Sequence, residues 1–184
     1  KLAGNDMDQS ILHYIRLRHG LLLGERTAEE IKIRIGSAYQ KNAKRNKMQN
    51  VKGRDEDASG AKEKGENMMI VRGRDIETGL PRSLRISESE VREAITPIFT
   101  QIIQAVADVL EETPPELLPD ILEYGILLTG GGANLAGLDQ LIVDRVHLPV
   151  LVSSDPLTSV VRGTGKVLED EKLLDRVKVI GGLK

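Results

Sequence analysis

Apolar positions in this chain recur first at helical spacing, then at strand spacing, then at both in alternation. Met7, Ile11, Tyr14, Ile15 and Arg18 share one face of an opening helix. Asn5 is placed to cap it, and Asp6 and Asp8 suit the positive end of its dipole. A short apolar link, GLLLGE, leads into TAEEIKIRIG. There Ala28, Ile31 and Ile35 form the buried face of a second helix, Thr27 and Glu30 read as a capping box, and Gly36 reads as the stop. Glu29, Lys32 and Arg34 fall away from that apolar face.

Residues 40–67 break the pattern. Apolar residues almost vanish there, and such a segment cannot bury enough surface to offset its ordering entropy, so a disordered surface loop is expected. Its early part is basic (Lys41, Lys44, Arg45, Lys47), which would suit an acidic partner or anionic lipid. No aromatics are interleaved for stacking on bases, which argues against a single-stranded nucleic-acid site.

MMIVRGRDIETGLPRSLRI then reads as two strands around a polar turn, with Leu84 and Ile86 alternating with charged residues. SESE opens a long helix with a capping box at Ser87 and Glu90. Its buried stripe is expected at Val91, Ile95, Ile98, Ile102, Val106 and Val109, with Pro97 kinking or dividing it. In TPPELLPDILEYG, Thr113 is the expected cap, Pro114 the first helical residue, Glu116 the closing box and Gly125 the stop. A buried strand ILLT, a glycine run, a helix NLAGLDQLIVDRV and a strand LPVLVS follow. Asp155 and Pro156 start a last helix, and the charged tail is expected to fray. The order predicts an α/β plan of at least two layers, with no solenoid repeat.

Composition narrows the chemistry. The 184 residues contain no cysteine, so thiolate metal sites, disulfides and thiol catalysis are excluded. Three histidines stand far apart with no metal-ligand spacing. A formal charge of −2 gives no global attraction to nucleic acid. Aromatics make up only 2%, so aliphatic side chains must fill the core. No apolar run reaches the ~20 residues that span a bilayer. The N-terminus does not read as a signal peptide.

Gly130, Gly131 and Gly132 stand where a strand hands over to a helix. Either the backbone turns sharply there and binds nothing, or a flat ring or phosphate approaches backbone that carries no Cβ. The run is neither G-x-G-x-x-G nor G-x-x-x-x-G-K-[ST], which disfavours Rossmann and P-loop readings.

Four collinear blocks, GERTAEEIKIRIGSAY, VRGRDIETGLPR, TPPELLPDILEYGILLTGGGANLAGLD and DPLTSVVRGTGKVLE, resemble the MreB family, bacterial actin homologues that determine cell shape. The resemblance runs along nearly the whole chain and covers the C-terminal half of the family's length. It implies an α/β fold of the actin-like ATPase class (ribonuclease H-like superfamily). Residues 1–95 would correspond to subdomain IIB, 96–155 to IIA, and 156–184 to helices returning towards IA. It also implies ATP as cofactor. The adenine and ribose would lie against Glu29, Glu30, Ile31 and Lys32 on one side and Gly131, Gly132, Ala133 and Asn134 on the other. The family usually carries an apolar residue where Asn134 stands.

The family's phosphate loops and Mg²⁺-handling acids belong to its other half. The chain therefore reads as a fragment or truncated product, with Mg²⁺ held outside it and no ATP hydrolysis expected from it alone. The intact parent would be cytoplasmic and membrane-associated. It would polymerise with itself and work with the inner membrane and the cell-wall elongation machinery, without nucleic acid. A sugar kinase or heat-shock-type ATPase of the same superfamily, or a degenerate module using its basic loop as a binding arm, are the alternatives.

Overall fold

The computed structural model describes residues 4–39 and 66–177. Most of the expected loop at 40–67 lies outside the described residues. Glu66 and Asn67, its last two positions, are exposed.

Helix α1 (Gly4–His19) packs on α2 (Glu25–Ile35) and on α3 (Glu88–Glu112). These helices cover one face of an antiparallel sheet of order β1-β2-β3, formed by Leu21–Leu22, Met68–Asp75 and Pro81–Ser87. The register pairs Val71 with Leu84 and Met69 with Ile86, so these four side chains share the helix-covered face. The apolar link GLLLGE thus contributes a third strand. It was too short for a period of two to show.

Ile11, Ile15, Leu21, Ile31, Val91 and Ile95 are all fully buried and form the centre of the core. The core continues to Leu138 and Ile142 of α5 (Leu138–Val146). Ile126, Leu128 and Val150 pack against its edge; they belong to a parallel pair, β4 (Ile126–Leu128) and β5 (Val150–Val152). A one-turn 3-10 segment (Pro115–Leu117) and α4 (Leu118–Tyr124) precede β4, and a second 3-10 turn (Gly131–Asn134) follows it. Helices α6 (Ser159–Glu169) and α7 (Glu171–Val177) close the described chain.

Several local expectations hold. The Ser87–Glu90 capping box is fully formed, and Gly125 ends α4 with φ 73°. Others are corrected. Helix α2 starts two residues before Thr27, with Gly24 as cap, so Thr27 and Glu30 form no box. Thr113 ends α3 instead of opening α4, and its hydroxyl donates to the Val109 carbonyl. Pro97 does not divide the helix in two: it sits inside one element, Glu88–Glu112, on an exposed face. The strand ILLT is buried on one side only, because Leu127 is 63% exposed. Of the charged tail, Glu171–Val177 forms α7, whose start is held by Asp170 accepting from the Lys172 and Leu173 N–H groups, and positions 178–184 lie outside the described residues.

The stripe on α3 also stops early. Val91, Ile95 and Ile98 are buried, but Ile102 and Val106 are half-buried and Val109 is 65% exposed. The helix outruns the sheet and helices that cover its first half. Ile95→Ala should therefore cost ~2–5 kcal/mol in urea unfolding. Val109→Ala should stay within about 0.5 kcal/mol of the parent.

Candidate functional site

The C-terminal end of α2 and the chain that follows the glycine run are stitched together. Ser37 and Ala136 form a parallel bridge, and the Ala38 N–H donates to the Ala136 carbonyl at 2.8 Å. Two glycines permit that approach. A Cβ on Gly36 would lie 2.2 Å from the Lys32 carbonyl oxygen and 3.1 Å from Leu135. A Cβ on Gly137 would lie 2.7 Å from Tyr39 Cβ, on a backbone already at φ +76°.

Beside this seam opens a cavity of about 780 Å³. Of the residues expected from sequence, Glu29, Lys32, Gly131, Gly132 and Asn134 line it. Glu30, Ile31 and Ala133 do not. Glu30 pairs with Arg34 at 2.6 Å on the surface, Ile31 is fully buried in the core, and Ala133 is buried beneath the turn. The glycine run turns with Gly130 at φ 82°, its N–H bonded to the Pro156 carbonyl at 2.7 Å. A Cβ on Gly132 would meet nothing within 4 Å. The backbone there is bare towards open space, as close approach by a ligand requires.

Lys32 is not the freely solvated side chain its helical position implied. Its ammonium donates to Asp8 Oδ2 at 2.8 Å and to the Gly4 carbonyl at 3.0 Å, tying α2 to the first turns of α1. The pair is mostly buried, with side-chain exposures of 15% and 11%. An ammonium has three N–H donors, so these two bonds leave one for the cavity that Lys32 lines. Asp8 thus serves as a counter-ion and not merely as a dipole-matching acid at the helix start. Its Oδ1 is buried without a hydrogen-bond partner among the described residues.

The lining also includes Ser37, Asn67 and Glu88, none of which the sequence singled out as site residues. Glu88 accepts from Ser37 at 2.7 Å and from Asn67 at 2.8 Å. Arg92 donates to Glu88 at 2.7 Å and to the Ser37 hydroxyl at 2.8 Å. Burial pushes the Glu88 carboxyl up, but the bonds from Ser37 and Asn67 and the charge of Arg92 outweigh it and hold the group below its ordinary value. Tyr39 and Leu157 also line the cavity. These residues come from separate elements with no shared period, so only the fold assembles them. Among the described residues, no three His, Cys, Asp or Glu side chains gather to hold a metal ion.

This architecture is one half of an actin-like fold. It superposes on MreB5 of Spiroplasma citri bound to ADP with a TM-score of 0.78 and 34% identity, covering 97% of this chain and 47% of that one. The same protein bound to AMPPNP gives 0.77. A MamK double helical filament gives 0.66 at 20% identity, which shows the fold alone. The chain belongs to the MreB/Mbl family, whose family model matches residues 1–63 and 56–176. It is 40% identical over 179 residues to the cell shape-determining protein Mbl of Bacillus subtilis strain 168, covering 97% of this chain and 47% of that protein. It is also 40% identical over 169 residues to the cell shape-determining protein MreB of Escherichia coli K12, covering 92% and 42% respectively. The chain thus spans about half the length of the relatives it matches.

Two measurements probe the site's electrostatics. Lys32→Met strands the Asp8 carboxylate in the interior and should cost ~3–5 kcal/mol in chemical unfolding, a loss that Asp8→Asn in the same chain should partly restore. Glu88 has a depressed folded pKa, so its contribution is present above the ordinary value of 4.5 and is lost as pH falls through the folded value. The stability gap between the parent and Glu88→Gln should therefore be widest near neutrality and should narrow as urea titrations move below about pH 4.5.

Proposed function

We propose that the chain is part of a bacterial actin-like cytoskeletal protein, and that its cavity receives the adenine and ribose of ATP. The observation that carries this reading is the convergence of Glu29 and Lys32 on α2 with Gly131, Gly132 and Asn134 on one cavity. Its volume lies within the ~300–1,000 Å³ usual for small-molecule sites. Met7, Leu135 and Leu157 supply apolar surface for a flat base. The bare backbone at Gly132 lets a ring come close. The Glu29 carboxylate suits sugar hydroxyls as an acceptor, and the third Lys32 proton suits a ring nitrogen or hydroxyl oxygen. The ADP and AMPPNP complexes of Spiroplasma citri MreB5 support the same ligand class.

In this reading, the phosphates and Mg²⁺ are handled by residues outside this chain. Catalysis of phosphoryl transfer rests on electrostatic clamping of that part of the nucleotide. The intact parent would form ATP-dependent filaments at the cytoplasmic face of the inner membrane, direct cell-wall synthesis and maintain rod-type shape. Its division would follow 1–95, 96–155 and 156–184. No helix among the described residues is long and apolar enough to cross a membrane.

The test is a titration of the isotopically labelled 184-residue chain with ADP, read by amide NMR. Shifts should concentrate at Glu29, Lys32, Gly131, Gly132 and Asn134, and GDP should produce smaller ones. An unperturbed spectrum at millimolar ADP, or shifts centred away from the cavity, would overturn the nucleotide reading.

A further inference from the structure

One amide on the glycine side of the cavity is left without a partner. Most polar side chains of the lining are already committed. Arg34 pairs with Glu30 at 2.6 Å, Asn67 donates to Glu88 at 2.8 Å, and Gln140 donates to Asp144 at 3.0 Å. Lys32 keeps a single N–H for the cavity. Asn5, Glu29 and Asn134 line the cavity, are exposed, and make no side-chain hydrogen bond or ion pair among the described residues. An ionised Glu29 is an acceptor only. Asn5 follows Gly4, whose carbonyl holds the Lys32 ammonium at 3.0 Å, so it stands on the Lys32 side. Asn134 belongs to the glycine turn itself.

That turn is held on both sides of Asn134. The Gly130 N–H donates to the Pro156 carbonyl at 2.7 Å, the Ala133 N–H to Gly130 at 3.2 Å and the Leu135 N–H to Gly132 at 3.1 Å. Ala133 is buried beneath it. The amide is therefore presented from a fixed backbone, on the same turn as the bare Gly132. Leu157 adds apolar surface there: a Cβ on Gly131 would lie 3.3 Å from its Cδ2. A flat ring drawn to the bare backbone thus meets an apolar neighbour and a free amide together.

We propose that Asn134 is a specificity-determining residue of this cavity, whose amide reads the 6-amino edge of a purine. Its carbonyl oxygen accepts from the 6-amino group, and its NH₂ donates to the ring nitrogen beside that group. Adenine displays this donor and acceptor side by side, and a side-chain amide is the group that matches both at once. An apolar side chain at the same position would supply contact area and no test of hydrogen bonding. A site built to pair with a polar group of its ligand rejects the analogue that lacks it, because the site's own polar atoms are then left unpaired. This role rests on the nucleotide reading above and goes beyond it: the bare backbone and apolar surface select a flat ring, and Asn134 selects its substituent.

The test is a double-mutant cycle between protein and ligand. ADP and purine riboside 5′-diphosphate, which lacks the 6-amino group, are each titrated into the labelled 184-residue chain, and Kd is read from the amide shifts of Gly131 and Gly132. The parent should bind ADP roughly tenfold more tightly than the analogue. In Asn134→Leu that ratio should fall to about one. Asn134→Asp keeps the acceptor and loses the donor, so it should bind ADP more weakly than the parent yet retain part of the preference. Asn134 is exposed, so both variants should fold, which spectra matching the parent outside the turn verify. A preference for ADP that persists unchanged in Asn134→Leu, including one that Asn5→Ala removes instead, would overturn this role and leave the nucleotide reading standing. A parent that binds both ligands equally at the cavity would do the same. A parent that shows no shift at the cavity with either ligand would overturn both.

Discussion

The backbone bridge between Ser37 and Ala136 is the constraint on which the site depends. It joins the end of α2 to the chain just past the glycine turn, and its hydrogen bond from Ala38 to Ala136 is short and direct. It sets α2, which carries Glu29 and Lys32, against the chain that carries Gly131 and Gly132. The bridge needs two chains to touch backbone to backbone, and Gly36 and Gly137 remove the side chains that would hold them apart. The cavity is thus a by-product of a seam: where two lobes meet at one line, the space beside that line is walled by both.

The seam is braced from two directions. On one side, Lys32 is held by Asp8 and the Gly4 carbonyl, so α2 cannot rotate about the bridge without breaking a buried ion pair. On the other, Arg92 and Glu88 of α3 grip the Ser37 hydroxyl next to the bridge itself. Both braces are charge-assisted and mostly buried, where removal of one partner costs more than the pair contributes. The site's shape therefore depends on ionisation, while the core that carries it is almost wholly aliphatic. That division of labour fits a chain with so few aromatic residues: packing sets the lobes, and a small number of charges sets the angle between walls.

Much of this was legible in the sequence wherever the cause was local. The Ser87–Glu90 box, the hairpin and the faces of α1 and α2 follow from side chains within a few positions of one another. The family blocks added what no local rule supplies, namely that α2 and the glycine turn belong to one site. What stayed hidden has a common origin. Asp8 looked like a dipole-matching residue because its counter-ion stands 24 positions away. Glu88 looked like a residue of the helix start, yet it meets Ser37 from 51 positions away. Thr113 fitted a cap motif, but a threonine between two helices can serve either, and the preceding helix claimed its hydroxyl. Two-residue β1 had no period to read.

The same reasoning explains why the two halves of the described chain look so different. The first lobe closes its own core: the sheet is covered on one face by α1, α2 and the start of α3. The later elements do not. Leu127 and Leu151 lie side by side on the parallel pair and are both exposed, and Val160, Val161 and Leu168 of α6 are exposed too. Parallel strands are normally buried on both faces, because their crossover helices cover them. Here α5 backs one face through Leu138 and Ile142, and the other is open among the described residues. Stability should therefore be graded along the molecule, highest around Ile11, Ile31 and Ile95 and falling towards α6. The glycine turn sits between these regimes. It is anchored to the stable lobe through Ala136 and to the open one through the bond from Gly130 to Pro156. A ligand seated there would contact both, so its binding energy would be spent partly on ordering the less stable side.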